Sequence, residues 1–445
     1  YVVPQEAQVV ATNDTELREA LKNNQYVVLY ADVITTDAES NGYGATGISQ
    51  LNGGVIDGHD YAISVNAWGT WDSAINTTGG TIKNLNVTGG MRGIFVNHNS
   101  DNCGKVYLDN VTVDGPVYTI SCDQGTNSGL EAVNSTFKGW TSYAATIGNV
   151  YFKNCLFGKG AGYQFARPYA PTVFENCEFE AGFQMDPRAT VTFVNCTLAG
   201  VALTDANLST LVTSNIANAK FPEKVSDDTA LKAALDGGSA YVEVAAGEYN
   251  TLPASSLKKG VTLACEAGTV FTGKSGLNIN GATVIGATFN NNSGNAVSGT
   301  INGTFKNCTF DGSNAFRDCY AGETVVFENC VFSGNTYGVH FDGGANEVLF
   351  RNCTISGFNA LAGTIKMTTF EGCTFKSNGK SGYNGANLWG AAKMIGCEFT
   401  FDGSAANEWI DCIGADKQYT FEGCTINGVS YTAENANDYA DTIFS

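Results

Sequence analysis

One six-residue window recurs thirteen times along this chain of 445 residues, and it constrains the fold more than any bulk property. Its fullest form, Phe-x-Asn-Cys-x-Phe, stands at Phe152–Phe157, Phe305–Phe310 and Phe327–Phe332. The third position is Asn or Gly in every copy: Asn84, Asn110, Asn134, Asn154, Asn176 and Asn195, then Gly286, Asn307, Asn329, Asn352, Gly372, Gly396 and Gly423. The fourth is cysteine in nine copies and Leu85, Val111, Ser135 or Ala287 in the others. The sixth is always apolar. Within each half of the chain, copies follow one another at 19 to 27 residues. A fixed period of that size calls for a solenoid.

The spacing inside the window sets the local geometry. Positions four and six lie two apart and share a face of a strand, whereas positions one and four fall on opposite faces. A bend between them resets the phase. Asn and Gly enter the left-handed backbone region at low cost, so one such residue at position three turns the chain and lets all three apolar positions point inward. Position two is often charged, as at Lys83, Lys153, Glu175, Lys306, Glu328, Arg351, Glu371 and Glu422, and belongs outside. Each period reads as strand, bend, strand, loop and a further strand. Stacked at about 4.8 Å per rung, such coils form an all-β parallel β-helix.

The chain has two starts. Asn13 and Glu16 have the spacing of a capping box, with Leu17, Ala20 and Leu21 on one helical face, and the strand-like run Tyr26–Tyr30 follows. Ser226-Asp227-Asp228-Thr229 repeats the plan with Leu231, Ala234 and Leu235, then Tyr241–Val244. An open solenoid end needs such a cover. Two solenoids in tandem are therefore expected, residues 1–215 and 216–445, each with a short N-terminal capping helix. The tail from Ala433 to Ser445 is expected to cap the second.

The Asn bend beside an inward apolar ladder resembles the right-handed parallel β-helix proteins of the pectate-lyase-like superfamily. That resemblance covers most of the chain. It implies a right-handed coil, a secreted bacterial origin, and any active site on the strand ahead of the window. Motifs of its enzymes are partial here. Gly58-His59-Asp60 matches part of a polygalacturonase-like signature. Gly162-Tyr163-Gln164 and Arg317-Asp318-Cys319-Tyr320 resemble segments of pectin methylesterases, but Phe165 and Val326 stand at the catalytic aspartate positions.

Composition narrows the function classes. With 43 acidic against 24 basic residues the net charge is −19, which excludes the basic stripe that nucleic acid requires. No apolar run is long enough for a membrane-spanning segment. Cysteine spacing fits no zinc site, and ladder cysteines one rung apart are too far for disulfides, so they read as small buried hydrophobes. A Cys103–Cys122 disulfide is compatible with the sequence.

Aligning the strands ahead of the window collects the candidate site residues. The first solenoid supplies His98, Asp123, Gln164, Arg167, Gln184, Asp186 with Arg188, and Asp205. The second supplies Arg317, Asp318, His340, Asp342, Trp389, Glu408, Trp409 and Asp411. Indole faces stack on sugar rings, and paired carboxylates serve glycoside cleavage. Of these, Asp318, His340, Asp342 and Asp411 are the candidate catalytic groups. The others, Arg317, Trp389, Glu408, Trp409, Gln164, Arg167, Gln184 and Asp186, are candidates for ligand binding. Asp-rich turns at Asp57–Asp60 and Asp342–Glu347 are candidate calcium sites. The expectation is a secreted or cell-surface protein that binds extracellular polysaccharide or a host glycan, or acts as an adhesin. A polysaccharide lyase or hydrolase, and a passive scaffold, are the rival readings.

Overall fold

The computed structural model describes residues 8–439, apart from 24–25, 36–38, 41–44, 51–52, 66–71, 97–103, 123–128, 144–148, 161–162, 251–256, 259, 273–280, 345, 379–382, 404–406 and 414–416. The fold is a parallel β-solenoid, divided into two compact units, Tyr1–Pro222 and Glu223–Ser445. Each opens with a nine-residue helix, Asp14–Lys22 and Asp228–Asp236. The Asn13 side chain accepts from the Glu16 N–H at 3.0 Å, and Asp227 accepts from Ala230 at 2.8 Å. Leu17, Ala20 and Leu21 in one helix and Leu231, Ala234 and Leu235 in the other are buried against the first coils.

The coils stack in parallel register. In the first unit, Leu130–Val133, Val150–Lys153, Thr172–Glu175 and Val191–Val194 form one ladder before the bend. Strands after the bend form a second, with Phe137, Phe157, Phe179 and Leu198 in line. The third-position residue is left-handed in all thirteen windows, with φ of 49–53° for Asn and 59–76° for Gly. Phenylalanines stack through the core. Phe152, Phe174 and Phe193 lie nearly parallel at 5.3 and 5.5 Å, and Phe305, Phe327, Phe350 and Phe370 at 5.1, 4.9 and 4.7 Å.

The nine window cysteines are buried thiols without disulfides. Each donates to carbonyls rather than to sulfur chemistry: Cys330 Sγ lies 3.4 Å from Phe305 O and 3.4 Å from Glu328 O. Neighbouring ladder sulfurs and burial push the Cys330 and Cys373 thiols far above their ordinary range. Cys122 is buried; its suggested partner Cys103 lies outside the described residues.

Two features differ from expectation. The early rungs carry no window: Tyr26–Leu29 with Val33–Thr35, Val55–Asp57 with Ala62–Val65, Tyr241–Val244 with Gly247–Tyr249, and Thr262–Cys265 with Thr269–Phe271. At Gly58–Tyr61 four residues fill a bend that Asn84 and Leu85 fill on the next rung. The division between units also falls after Pro222 rather than after residue 215. Asn215 and Asn218 donate to Asp186 and Pro187, and Ala219–Lys220 adds a parallel strand to Val191–Thr192, so this segment completes the first unit.

Both units close with the same device. Thr197–Leu198 and Val201–Ala202 form a hairpin whose turn residues, Ala199 and Gly200, have φ of 52° and 76°. Thr425–Ile426 and Val429–Ser430 repeat it, with Asn427 and Gly428 at 49° and 77°. Positive φ at both central residues gives the turn that suits strand twist. Asn207 then accepts from Thr204 N and donates to Ala202 O, as Asn435 does with Thr432 and Ser430. The second unit is thus capped from Val429 onward, and the tail takes part as expected: Asn435 makes these bonds and Tyr439, in the helical turn Ala436–Tyr439, packs on Tyr431 against the core; residues 440–445 lie outside the described residues.

Candidate functional site

In the second unit, the strands Thr309–Glu328, Val331–Gly344, Thr354–Leu361, Tyr383–Leu388 and Asn407–Cys412 pair in turn, and their stretches between the ladder after one bend and the ladder before the next form the third sheet of the coil. Cys319, Phe341, Leu361, Leu388 and Cys412 share one register line on the core side. Alternation turns their chain neighbours outward. His340, Ala360, Asn387 and Asp411 make one outward column; Tyr337, Phe358, Gly385 and Trp409 make another.

The structure brings several of these together. The Arg317 guanidinium sits 5.3 Å from the centre of the Tyr337 ring. Tyr337 stacks on His340 at 4.6 Å, and His340 Nε2 is 3.4 Å from Asp342 Oδ1. Asp342 is a bulge residue: Cys319 faces Phe341 and Tyr320 faces Gly343, leaving Asp342 extra and exposed. Tyr320 lies over Gly343, where an added Cβ would come within 3.1 Å of the ring. Tyr320 and Trp389 are 52% and 50% exposed, large fractions for such side chains. Between their rungs the surface is floored by Gly343, Ala362 and Gly363. Three rung steps separate them, about 14 Å along the stack. Tyr320 and Trp389 thus bracket a stretch of small residues, and the Arg–Tyr–His–Asp cluster stands on the strands leading into it.

Other candidates have internal duties. Glu408 accepts from Ser377 Oγ at 2.6 Å and from Gly403 N at 3.0 Å, tying two loops together. Asp411 is 3% exposed; burial, then this carboxylate, push the Cys412 thiol up to about 12. Trp409 is half-buried, with its carbonyl over Gly385. Asp342 and Asp411 stand three rungs apart, about 14 Å, beyond the roughly 5–9.5 Å that separates glycosidase carboxylates. Asp318 lies on its strand next to Cys319, and its side chain is outside the described residues.

Three of the first-unit candidates, Arg167, Asp186 and Arg188, form a network centred on Asp186. Asp186, 4% exposed, takes Arg188 Nη2 at 2.7 Å, Arg167 Nε at 3.2 Å and Asn215 Nδ2 at 2.6 Å. Burial alone would raise its pKa, but Asn215 and the two arginines outweigh it and hold the carboxyl below its ordinary range. Arg167 also covers the Trp140 and Phe165 rings at 5.4 and 5.3 Å. Gln164 and Gln184 are joined through the backbone, Gln184 N donating to Gln164 O at 3.1 Å. His98 and Asp123 lie outside the described residues.

Sequence reasoning did not single out Tyr337 as a site residue, nor Tyr320 beyond its place in a motif. It also passed over Trp140, which contacts Tyr118, Tyr163 and Phe165. The signal available for two of them was an aromatic 14 or 15 residues ahead of a bend, as Trp140 stands before Asn154 and Tyr337 before Asn352. Among the described residues no group of three or more His, Cys, Asp or Glu is placed to hold a metal ion. At the Asp57 turn the carboxylate is engaged by Tyr26, His59 N, Lys83 and Asn84. Among the described residues no helix is long and apolar enough to cross a membrane. No protein-family model, no curated protein and no solved structure matches the chain.

Proposed function

We propose that the second unit binds an extended polysaccharide along its third sheet, and that the protein works as a secreted or cell-surface glycan-binding protein or adhesin of the pectate-lyase-like kind. The observation that carries the reading is the pair of exposed aromatics, Tyr320 and Trp389, with small residues on the rungs between them. Exposed aromatic faces offer apolar area with little side-chain entropy to lose, and a flat small-residue floor admits a chain of sugar rings. Arg317, His340 and Asp342 supply hydrogen-bond donors and acceptors along the same edge. An exposed cation beside the cluster favours a uronic-acid carboxylate over a neutral sugar. The wide separation of Asp342 and Asp411 favours binding over cleavage by that pair.

The test is retention on a panel of acidic and neutral polysaccharides, with reducing ends and unsaturated products followed in parallel. Trp389→Ala is expected to weaken retention about tenfold or more, in line with the roughly 1–3 kcal/mol of a stacking contact. Product release abolished by His340→Ala or Asp342→Ala would replace binding with catalysis. Equal retention of wild type and Trp389→Ala would overturn a binding role for the exposed aromatics.

A further inference from the structure

The window cysteines form two unbroken runs. Cys155, Cys177 and Cys196 fill the last three windows of the first unit, and Cys308, Cys330, Cys353, Cys373, Cys397 and Cys424 fill every window of the second after Ala287. Leu85, Val111, Ser135 and Ala287 show that the position accepts other fillers, yet none interrupts either run. Parallel register sets the sulfurs in file. The residues that follow them pair coil to coil, Thr309 with Val331, then Thr354, Thr374, Glu398 and Thr425. The side chains share one orientation. Sγ of Cys330, Cys353, Cys373, Cys397 and Cys424 lies 3.4–3.6 Å from a carbonyl oxygen of the coil before, that of Phe305, Phe327, Phe350, Phe370 and Met394 in turn. Cys330 interacts with both Cys308 and Cys353, and Cys397 with both Cys373 and Cys424. Neighbouring sulfurs therefore stand about one strand spacing apart, about 4.8 Å. An S–S bond of about 2 Å cannot span that gap. Two metal–thiolate bonds of about 2.3 Å, placed in line, can.

We propose that neighbouring cysteines of these runs bind copper(I) in pairs, one ion between two coils. Among the described residues no group of three or more His, Cys, Asp or Glu converges on one point, so zinc, which takes four ligands, and calcium, which takes six or more oxygens, are not served. A soft monovalent ion content with two thiolate-type donors in line is served, and thiolate selects copper(I). Because the side chains are parallel, an ion midway between two sulfurs displaces no other side chain. Each ion forms two Cu–S bonds and replaces one thiol proton, which leaves to solvent. The pair keeps one thiolate and one thiol, so the buried group is neutral, as an apolar interior requires. Copper stays in one oxidation state throughout. Six sulfurs in the second unit make three pairs, and three in the first make one. All nine are at most 3% exposed, so entry waits for two coils to part. The site lies inside the coils, away from the outward face proposed to bind glycan.

Anaerobic incubation of the full chain with copper(I) tests this, with native mass spectrometry counting bound ions and X-ray absorption reading their neighbours. Two triple variants carry the comparison. Cys308→Ser, Cys330→Ser and Cys353→Ser together leave Cys373, Cys397 and Cys424 on adjacent coils. Cys330→Ser, Cys373→Ser and Cys424→Ser together leave three thiols with a coil between each. Both keep the same number of thiols, and Ser135 shows that serine is accommodated at this position. Relative to wild type, the first is expected to bind two ions fewer and the second three fewer, with two sulfur atoms and no nitrogen or oxygen around each copper. Equal counts in the two variants overturn the proposal. So do nitrogen or oxygen neighbours, a wild type that takes up no copper(I), and uptake that occurs only with loss of the β-type circular dichroism spectrum. Where a serine set does not fold, the same sets are made with alanine, the filler at Ala287, and the same difference is expected.

Discussion

Asp186 and Asp342 both stand about ten residues ahead of a bend, at Asn195 and Asn352, yet they end in opposite environments. Asp186 is enclosed by Arg167, Arg188 and Asn215, and through Asn215 it fastens the closing segment of the first unit to its coils. Asp342 bulges into solvent, held by His340 alone among the ion pairs of the described residues. The difference teaches how this fold separates duties. Where a later segment folds back over the coils, polar groups are used to hold it; where none does, the same groups face solvent. The bends show a second contrast. In the first unit Asn110, Asn154 and Asn176 donate side chain to side chain onto Asn84, Asn134 and Asn154, a ladder of amides. In the second, Gly replaces Asn at Gly372, Gly396 and Gly423 with φ near 60°, so the conformation is kept and the amide is dispensed with.

The largest expected effect breaks the first contrast. Asp186→Ala strands two arginines and is expected to cost the first unit about 3–5 kcal/mol, while Asp342→Ala changes stability by less than about 0.5 kcal/mol. Hydrogen exchange resolved to each unit reads both; equal losses would erase the distinction between fastening and facing solvent. Acid sharpens the same point. The Asp186 pKa is lower folded than unfolded, so its contribution is full above the ordinary carboxylate pKa of about 3.9 and disappears as pH falls through the folded value. Protection of Val191–Val194 is expected to decline over that window, and in Asp186→Asn the decline should be reduced.

The bends give a smaller effect. Asn154→Ala is expected to cost about 1–2 kcal/mol for a left-handed residue with a Cβ, and Asn154→Gly less. Denaturant unfolding orders the two; equal costs would mean that the amide ladder, not the bend, holds the first unit. Smallest is Cys330→Ser. Ser135 already occupies a cysteine position, its hydroxyl donating to Val133 O at 2.7 Å and accepting from Val111 N at 3.1 Å. A serine at 330 inherits the Phe305 and Glu328 carbonyls, so the change is expected to stay within about 1 kcal/mol. A melting temperature far below wild type would show that the polarisable sulfur itself matters there.

Much of the scaffold was legible because its code is periodic and local. One left-handed residue between inward positions is enough to place thirteen rungs, and Asn13 and Asp227 announce the caps. Rungs such as Val55–Val65 were not legible, since their longer bend hides the spacing. The hairpin caps at Ala199-Gly200 and Asn427-Gly428 carry a turn signal, but only the pairing shows that they close the stack. The site was less legible. Trp389 stands out by type, whereas Tyr320 and Tyr337 acquire meaning from what the neighbouring rungs place beside them, Gly343 and His340. Arg167 and Asp186 stand out by type, but nothing in the sequence announces that Asn215, 29 residues on, folds back onto Asp186.

The thiol ladder has a use that stability does not exhaust. Six sulfurs, from Cys308 to Cys424, are spaced one per coil and sealed behind phenylalanine. Each meets an alkylating reagent only when its own coil parts from the next. The second unit therefore carries a built-in fraying gauge: the order in which these thiols are modified maps, coil by coil, where the rod opens first.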